Sequence, residues 1–337
     1  MAYASRQSSY LIACFGAFLQ VLAWSWDAFS HIPIGNVNHG WNPANLTLYA
    51  AVAITIIGVW RGIRYSPKQP PVSLSPIQFS NLAGLKLAGV GCLIGIIAGI
   101  WNGIVHAFFL NGAWSAPGHA LLTVGMLTVN LGMVIGLVIE HGMIRHGLVV
   151  VSAARRRAVA LFVLLSFSAI WLAASGYFIY LGRTFRSFPA NWLVAVLLAF
   201  MAIFVLVPAK RVMPRLGSGV ALGLVFNSVT YFFLTVYAGS ALYIPWGLLP
   251  ITLFDLVLYI LTPILAFRRA IILSSLMAGL FFWATYFPFT SYLFPWSFAF
   301  QLPAFALVLG SVAGALMGDR VYASISSVVL GDVGASV

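Results

Sequence analysis

An all-α polytopic membrane protein with about ten transmembrane helices is the fold class the sequence predicts, on three observations. Of 337 residues, 62% are apolar and 7% charged, with a mean hydropathy of +1.03. That leaves too little polar surface to cover a water-facing globule. Apolar runs of about 20 residues, the length that crosses a hydrocarbon core of ~30 Å, recur from end to end. The basic residues collect in alternate connections between those runs.

In chain order the spans fall near 9–29, 44–61, 83–109, 117–140, 158–180, 188–208, 217–237, 245–267, 270–290 and 296–316. The first follows the polar stretch MAYASRQSSY and carries Asp27 near its far end. It has no small-residue cleavage site of the signal-peptide kind and is read as a retained span. A polar, proline-rich linker from Arg61 to Gln78 separates the second span from the third. The third carries Gly91, Gly95 and Gly99, a spacing that suits close helix packing. The fourth opens on Pro117, which the first helical turn tolerates because its backbone donors are spare. The eighth holds Asp255. Pro288, Pro295 and Pro303 break the last pair. The aromatic run Phe281 to Phe300 reads as an interfacial belt, with an apolar pocket as the alternative.

Charge gives the expected sidedness. Arg6; Arg61, Arg64 and Lys68; Arg145 and Arg155 to Arg157; Lys210, Arg211 and Arg215; Arg268 and Arg269; and Arg320 share one side, with Lys86 at the start of its span. Arg183 and Arg186 take the other. Under the positive-inside rule both termini are then cytoplasmic, in a multi-pass protein of the cell membrane. The net charge of +12 is read as topology and contact with anionic lipid, not nucleic-acid binding. Cys14 and Cys92 have no partner at metal or disulfide spacing and read as small core residues.

The first four spans read as a duplicated helical hairpin, 9–61 and 83–140, within a region 9–150. Trp26-Asp27-x3-His31 corresponds to Trp101-Asn102-x3-His106 at an offset of 75. Trp41 before Pro43-Ala44-Asn45 corresponds to Trp114 before Pro117-Gly118-His119, at offsets of 73 and 74. A six-helix extension, 155–320, and a cytoplasmic tail, 321–337, complete the expected organisation.

Residues four apart share a helix face, so Asn102 and His106 point the same way near the outer end of the third span. The turn LNGAWSAP brings His119 back at the start of the fourth. Asp27, His31 and Asn45 hold the equivalent places in the first hairpin, with His39 in the loop. Polar groups in membrane spans often pair only to hold a bundle together. A metal, in contrast, fixes ligand type and separation, and imidazole with amide or carboxylate oxygen suits copper, zinc or iron. Both readings stand for Asn102, His106 and His119, and for Asp27, His31 and Asn45. His141 and His146, beside Arg145, read as edge polarity. Asp255 would cost at least ~2.5–3.5 kcal/mol if ionised alone near mid-bilayer. It is therefore expected to be protonated or partnered, with Asn227 and Tyr243 as partners of suitable chemistry, in a structural or proton-path role.

This pattern resembles the copper-dependent membrane monooxygenases, the particulate methane and ammonia monooxygenase family, and among their subunits the third. The resemblance covers about residues 10–150 and rests on Asp-x3-His, Asn-x3-His and the segments WNPAN (Trp41 to Asn45) and SAPGH (Ser115 to His119). It implies a copper site at Asn102, His106 and His119, with all three residue types retained. It also implies a second site at Asp27 and His31, whose third ligand is a histidine in the family and Asn45 here, with His39 as a substitute. By that resemblance the chain belongs to a complex with other membrane subunits, oxidising a small substrate with dioxygen and electrons from a quinol. Two alternatives remain open: a non-catalytic anchor of an electron-transfer complex carrying haem b between His31 and His106, and a proton-coupled transporter using Asp27 and Asp255.

Overall fold

The computed structural model describes residues 2–34, 43–65, 76–109, 117–145, 147, 149–184, 188–238, 247–293 and 304–334. Among them the chain is all-helical, with no strand. Ten helices follow one another: α1 (Ala2–Ile34), α2 (Pro43–Arg64), α3 (Pro76–Phe109), α4 (Pro117–Arg145), α5 (Ala153–Thr184), α6 (Phe188–Val212), α7 (Ser218–Ala238), α8 (Leu248–Leu261), α9 (Phe267–Leu293) and α10 (Ala304–Gly334). Eight are long and apolar enough to cross a membrane; the described apolar parts of α7 and α8 are shorter. At ~1.5 Å per residue, the 14 residues of α8 reach about 21 Å.

Helix is what this composition has to form, since a backbone in hydrocarbon must satisfy its own polar groups. The ends are marked by local chemistry. Pro43, Pro76 and Pro117 each open a helix, where the ring's missing N–H costs nothing. Arg61 and Arg64, Arg145, and Lys210 with Arg211 occupy last turns, facing the partial negative charge of a helix C-terminus. Gly147, at φ +72°, turns the chain after α4.

The chain divides into two compact units, residues 1–173 with 323–337 and residues 174–322. In the first, α1 packs closely on α2 and α3 on α4, and the two hairpins meet through α2 with α3 and α1 with α4. Small residues set the closeness. A methyl group at Gly91 would lie 2.5 Å from the Val129 nitrogen and 2.8 Å from the Gly125 oxygen. One at Gly16 would lie 2.7 Å from the Thr55 nitrogen and 2.9 Å from the Ala51 oxygen. The two contacts differ by 75 positions on the first helix of each hairpin and by 74 on the second. Gly132 meets Gly84 and Ala88 backbone, and Gly58 meets that of Ala13. Of the three glycines expected to pack, Gly91 does so and Gly95 receives Gly125, whereas Gly99 has nothing within 4 Å of a built Cβ. The contact therefore runs through positions 84, 88, 91 and 95, and the stripe leaves it one turn later.

Tyr10 lies against Gly84 and Gly136, and Gly62 against Leu85. These contacts bring the N-terminal ends of α1 and α3 together with the C-terminal ends of α2 and α4. Arg155 of α5 joins them by donating to Ser8 Oγ at 3.4 Å. Arg61, Arg64, Lys86, Arg145, Arg156 and Arg157 are exposed at this basic end. The outward side of α3 is apolar, with Val90, Leu93, Ile97 and Ile100 each more than half exposed, as hydrocarbon surroundings require.

In the second unit α8 packs on α7 and α9. Gly310, Gly314 and Gly318 of α10 press on the backbone of Val196, Phe200 and Phe204 of α6, and Gly279 of α9 on Val308.

Candidate functional site

The opposite end of the first unit holds the polar residues singled out in the sequence. Asp27 is buried in the last third of α1. Tyr49, in the second turn of α2, lies within electrostatic reach of its carboxylate. Asn45, the third residue of α2, is half-buried. His31 lies on α1, but its side chain, like the whole of His39, falls outside the described residues.

On the second hairpin, Asn102 is half-buried on α3, and its Oδ1 is buried without a hydrogen-bond partner among the described residues. Gly118 is set directly against it: a methyl group there would lie 3.3 Å from Asn102 Cβ and 3.1 Å from Trp101 Cδ1. His119 follows as the third residue of α4, only 4% exposed, and its carbonyl accepts the Thr123 hydroxyl at 3.0 Å. The α3–α4 crossing thus brings Asn102 beside the turn that carries His119. The His106 side chain lies outside the described residues, as does residue 146. Among the described residues no three histidine, cysteine or carboxylate side chains gather into a metal-sized group. Chemically, the hairpin end offers imidazole nitrogen and amide oxygen in a place from which water is largely excluded.

Asp255 belongs to a separate cluster in the second unit. It is fully buried on α8 and forms an ion pair with Lys210 of α6, itself 4% exposed. Its other oxygen accepts backbone N–H groups from Gly217 at 3.0 Å, Gly219 at 3.0 Å and Val220 at 3.3 Å. Lys210 also donates to the Arg215 carbonyl at 2.6 Å. Gly217 has φ +90°, a left-handed conformation that glycine adopts without the Cβ penalty. The carboxylate therefore caps the start of α7, where orphan N–H groups and the helix dipole favour an anion. Of the two partners the sequence suggested, Asn227 donates to the Gly223 carbonyl of its own helix at 2.7 Å, and Tyr243 lies outside the described residues. Lys210, read as one of the topology charges, is the counter-ion. Next to it, Arg211 donates to Asp319 Oδ1 through Nε at 3.0 Å and Nη2 at 2.7 Å. Its guanidinium lies 3.5 Å over the Phe267 ring.

Cys14 and Cys92 are both free and buried. Three buried polar residues of α4 escaped the sequence reading, Thr123, Asn130 and Glu140. Glu140 had one available signal: it is among five carboxylates in the whole chain and falls in an apolar run.

No protein-family model, no curated protein and no solved structure matches the chain.

Proposed function

We propose that the chain is an integral subunit of a copper monooxygenase-like complex of the cell membrane and binds copper at the end of its first four helices remote from the basic end. On this reading the basic end and both termini are cytoplasmic, and the site faces outward. The single observation that carries the proposal is the Asn102–Gly118–His119 contact. A buried amide oxygen without a partner among the described residues adjoins the turn that bears a buried histidine. An unpaired buried oxygen costs about 1–3 kcal/mol, and ligation is one way to recover that cost. His106, one turn beyond Asn102, would add a second imidazole, a donor set that suits copper. Bound copper would supply the one-electron chemistry by which dioxygen reacts with a small apolar or neutral substrate. The chain's own part is to hold the donors, bury them from water and keep Gly118 small enough for α3 to approach.

Support for a duplicated hairpin comes from the helix contacts, which recur at offsets of 75 and 74. Asp27 and Asn45 then stand where Asn102 and His119 stand in the second hairpin. With one described imidazole fewer, the first site is the weaker binder. Electrons from a quinol and the remaining subunits of the complex are further parts of the proposal. Of the alternatives, the haem b anchor relies on His31 and His106, whose side chains lie outside the described residues. The transporter relies on Asp27 and Asp255, and the hydrogen bonds of Asp255 to Lys210 and to three backbone N–H groups give that residue a structural task.

Metal analysis of the purified protein tests the proposal. Copper is expected in the wild type and reduced in His106→Ala/His119→Ala, with no Soret band in either. Equal copper in the two proteins overturns it.

A further inference from the structure

The second unit carries uncompensated positive charge at its basic end. Between residues 174 and 322 the sequence has two carboxylates, Asp255 and Asp319. Both are engaged, Asp255 by Lys210 and Asp319 by Arg211. Arg215, Arg268 and Arg269 are exposed, and their side chains have no ion-pair partner among the described residues. Two contacts place them at one end of the unit. The Lys210 ammonium holds the Arg215 carbonyl, and the Arg211 guanidinium over Phe267 joins the last turn of α6 to the first residue of α9. Arg268 and Arg269 follow at once in the first turn of α9, which has no acidic residue. The dipole disfavours a cation at a helix N-terminus, and no carboxylate of the unit is left to offset that cost.

Next to the arginines the surface is apolar. Leu273, Met277 and Leu280 of α9 are each more than 40% exposed. With Arg269 they follow at intervals of four, four and three, so all four share one helix face. On the neighbouring helix α8, Tyr259 and Ile260 are more than half exposed close to the same end. Leu216 and Ile264, 50% and 73% exposed, stand in the α6–α7 and α8–α9 turns. An arginine at the head of an apolar stripe lays its stem along hydrocarbon and keeps its charge at the headgroup level. That is where the phosphate of a lipid lies when its acyl chains cover the stripe. A soluble anion would meet the guanidinium groups but leave the stripe unused.

We propose that the basic end of the second unit is a binding site for an anionic phospholipid of the adjoining leaflet. Arg215, Arg268 and Arg269 hold the phosphate, and the acyl chains lie against the exposed face of α9. On the sidedness proposed above, that leaflet is the cytoplasmic one. The headgroup must carry net negative charge, because a zwitterionic headgroup brings its own cation and leaves the three arginines uncompensated. Lys210 and Arg211 take no part, since Asp255 and Asp319 already neutralise them. This goes beyond the general contact of a basic surface with lipid: it assigns one headgroup to three named side chains. The site is independent of the copper reading of the first unit.

Native mass spectrometry of the full chain in detergent, titrated with phosphatidylglycerol or phosphatidylcholine of the same acyl chains, tests it. The wild type is expected to retain one phosphatidylglycerol about tenfold or more above phosphatidylcholine, since each arginine near a membrane surface is worth about fivefold. Arg215→Gln/Arg268→Gln/Arg269→Gln should remove that preference and leave phosphatidylcholine retention unchanged. Arg61→Gln/Arg64→Gln, equally exposed but at the C-terminal end of α2, should keep it. All five side chains are exposed, so both variants are expected to unfold at the wild-type temperature in lipid-free detergent, which separates loss of the site from loss of the fold. Inorganic phosphate and glycerol phosphate, the headgroup chemistry without acyl chains, should not displace the lipid at millimolar concentration. Equal retention of the two lipids, equal loss in both arginine variants, or displacement by either soluble phosphate overturns the proposal.

Discussion

Asp255→Asn isolates the charge at the heart of the second unit. The substitution keeps the side chain's size and an oxygen for the N–H groups of Gly217, Gly219 and Val220, but leaves the Lys210 ammonium buried without its counter-charge. Removing one partner of a buried pair costs about 3–5 kcal/mol. At about 2–4 °C per kcal/mol for a unit of 150–250 residues, the unfolding midpoint falls by about 10 °C. Lys210→Met costs less, about 1–3 kcal/mol, because the carboxylate retains three backbone donors. Combining Lys210→Met with Asp255→Asn removes both charges and keeps the cap of α7, so the double variant recovers to within about 1 kcal/mol of wild type. Thermal unfolding of the detergent-solubilised protein, followed by tryptophan fluorescence and size exclusion, measures all four proteins. An Asp255→Asn protein that melts with the wild type, or a double variant less stable than either single, rules out a stabilising charge pair here.

Other outcomes follow from the packing. Gly132→Ala forces a methyl to 2.5 Å from the Gly84 oxygen and 2.7 Å from the Ala88 nitrogen. It should cost about 1–3 kcal/mol as overpacking, whereas Gly99→Ala, with nothing within 4 Å, should be neutral or gain up to about 1 kcal/mol of helix propensity; thermal unfolding separates the two. Arg211→Lys loses the planar contact over Phe267 and one of two hydrogen bonds to Asp319. A loss of about 1 kcal/mol is expected, against no change for exposed Arg156→Lys, by the same measurement.

How far the sequence could be read depended on whether the controlling interaction was local. Helices were legible because apolar length and end chemistry act within one segment: Pro43 and Pro117 open helices, and Arg64 and Arg145 close them. Pairing of Asp255 with Lys210 was not, since the two lie 45 positions apart and a lysine at a span's end reads equally well as a topology charge. The glycine stripes make the same point. Gly91, Gly95 and Gly99 share the spacing of Gly310, Gly314 and Gly318, yet only the second set makes contact throughout. Which turns touch depends on where the partner helix crosses. At the end remote from the basic residues, Asn102 and His119 were legible as a pair because so few residues, 110–116, separate the two helices in sequence. The intervening contact through Gly118 required coordinates.

Pulsed electron paramagnetic resonance of the purified protein, loaded with one equivalent of Cu(II), is the sharpest test of the site. Modulation from at least one imidazole nitrogen is predicted, lost in His119→Ala and perturbed in Asn102→Leu. Copper bound without imidazole coupling, or a spectrum that ignores both substitutions, would contradict a metal centre at the α3–α4 turn.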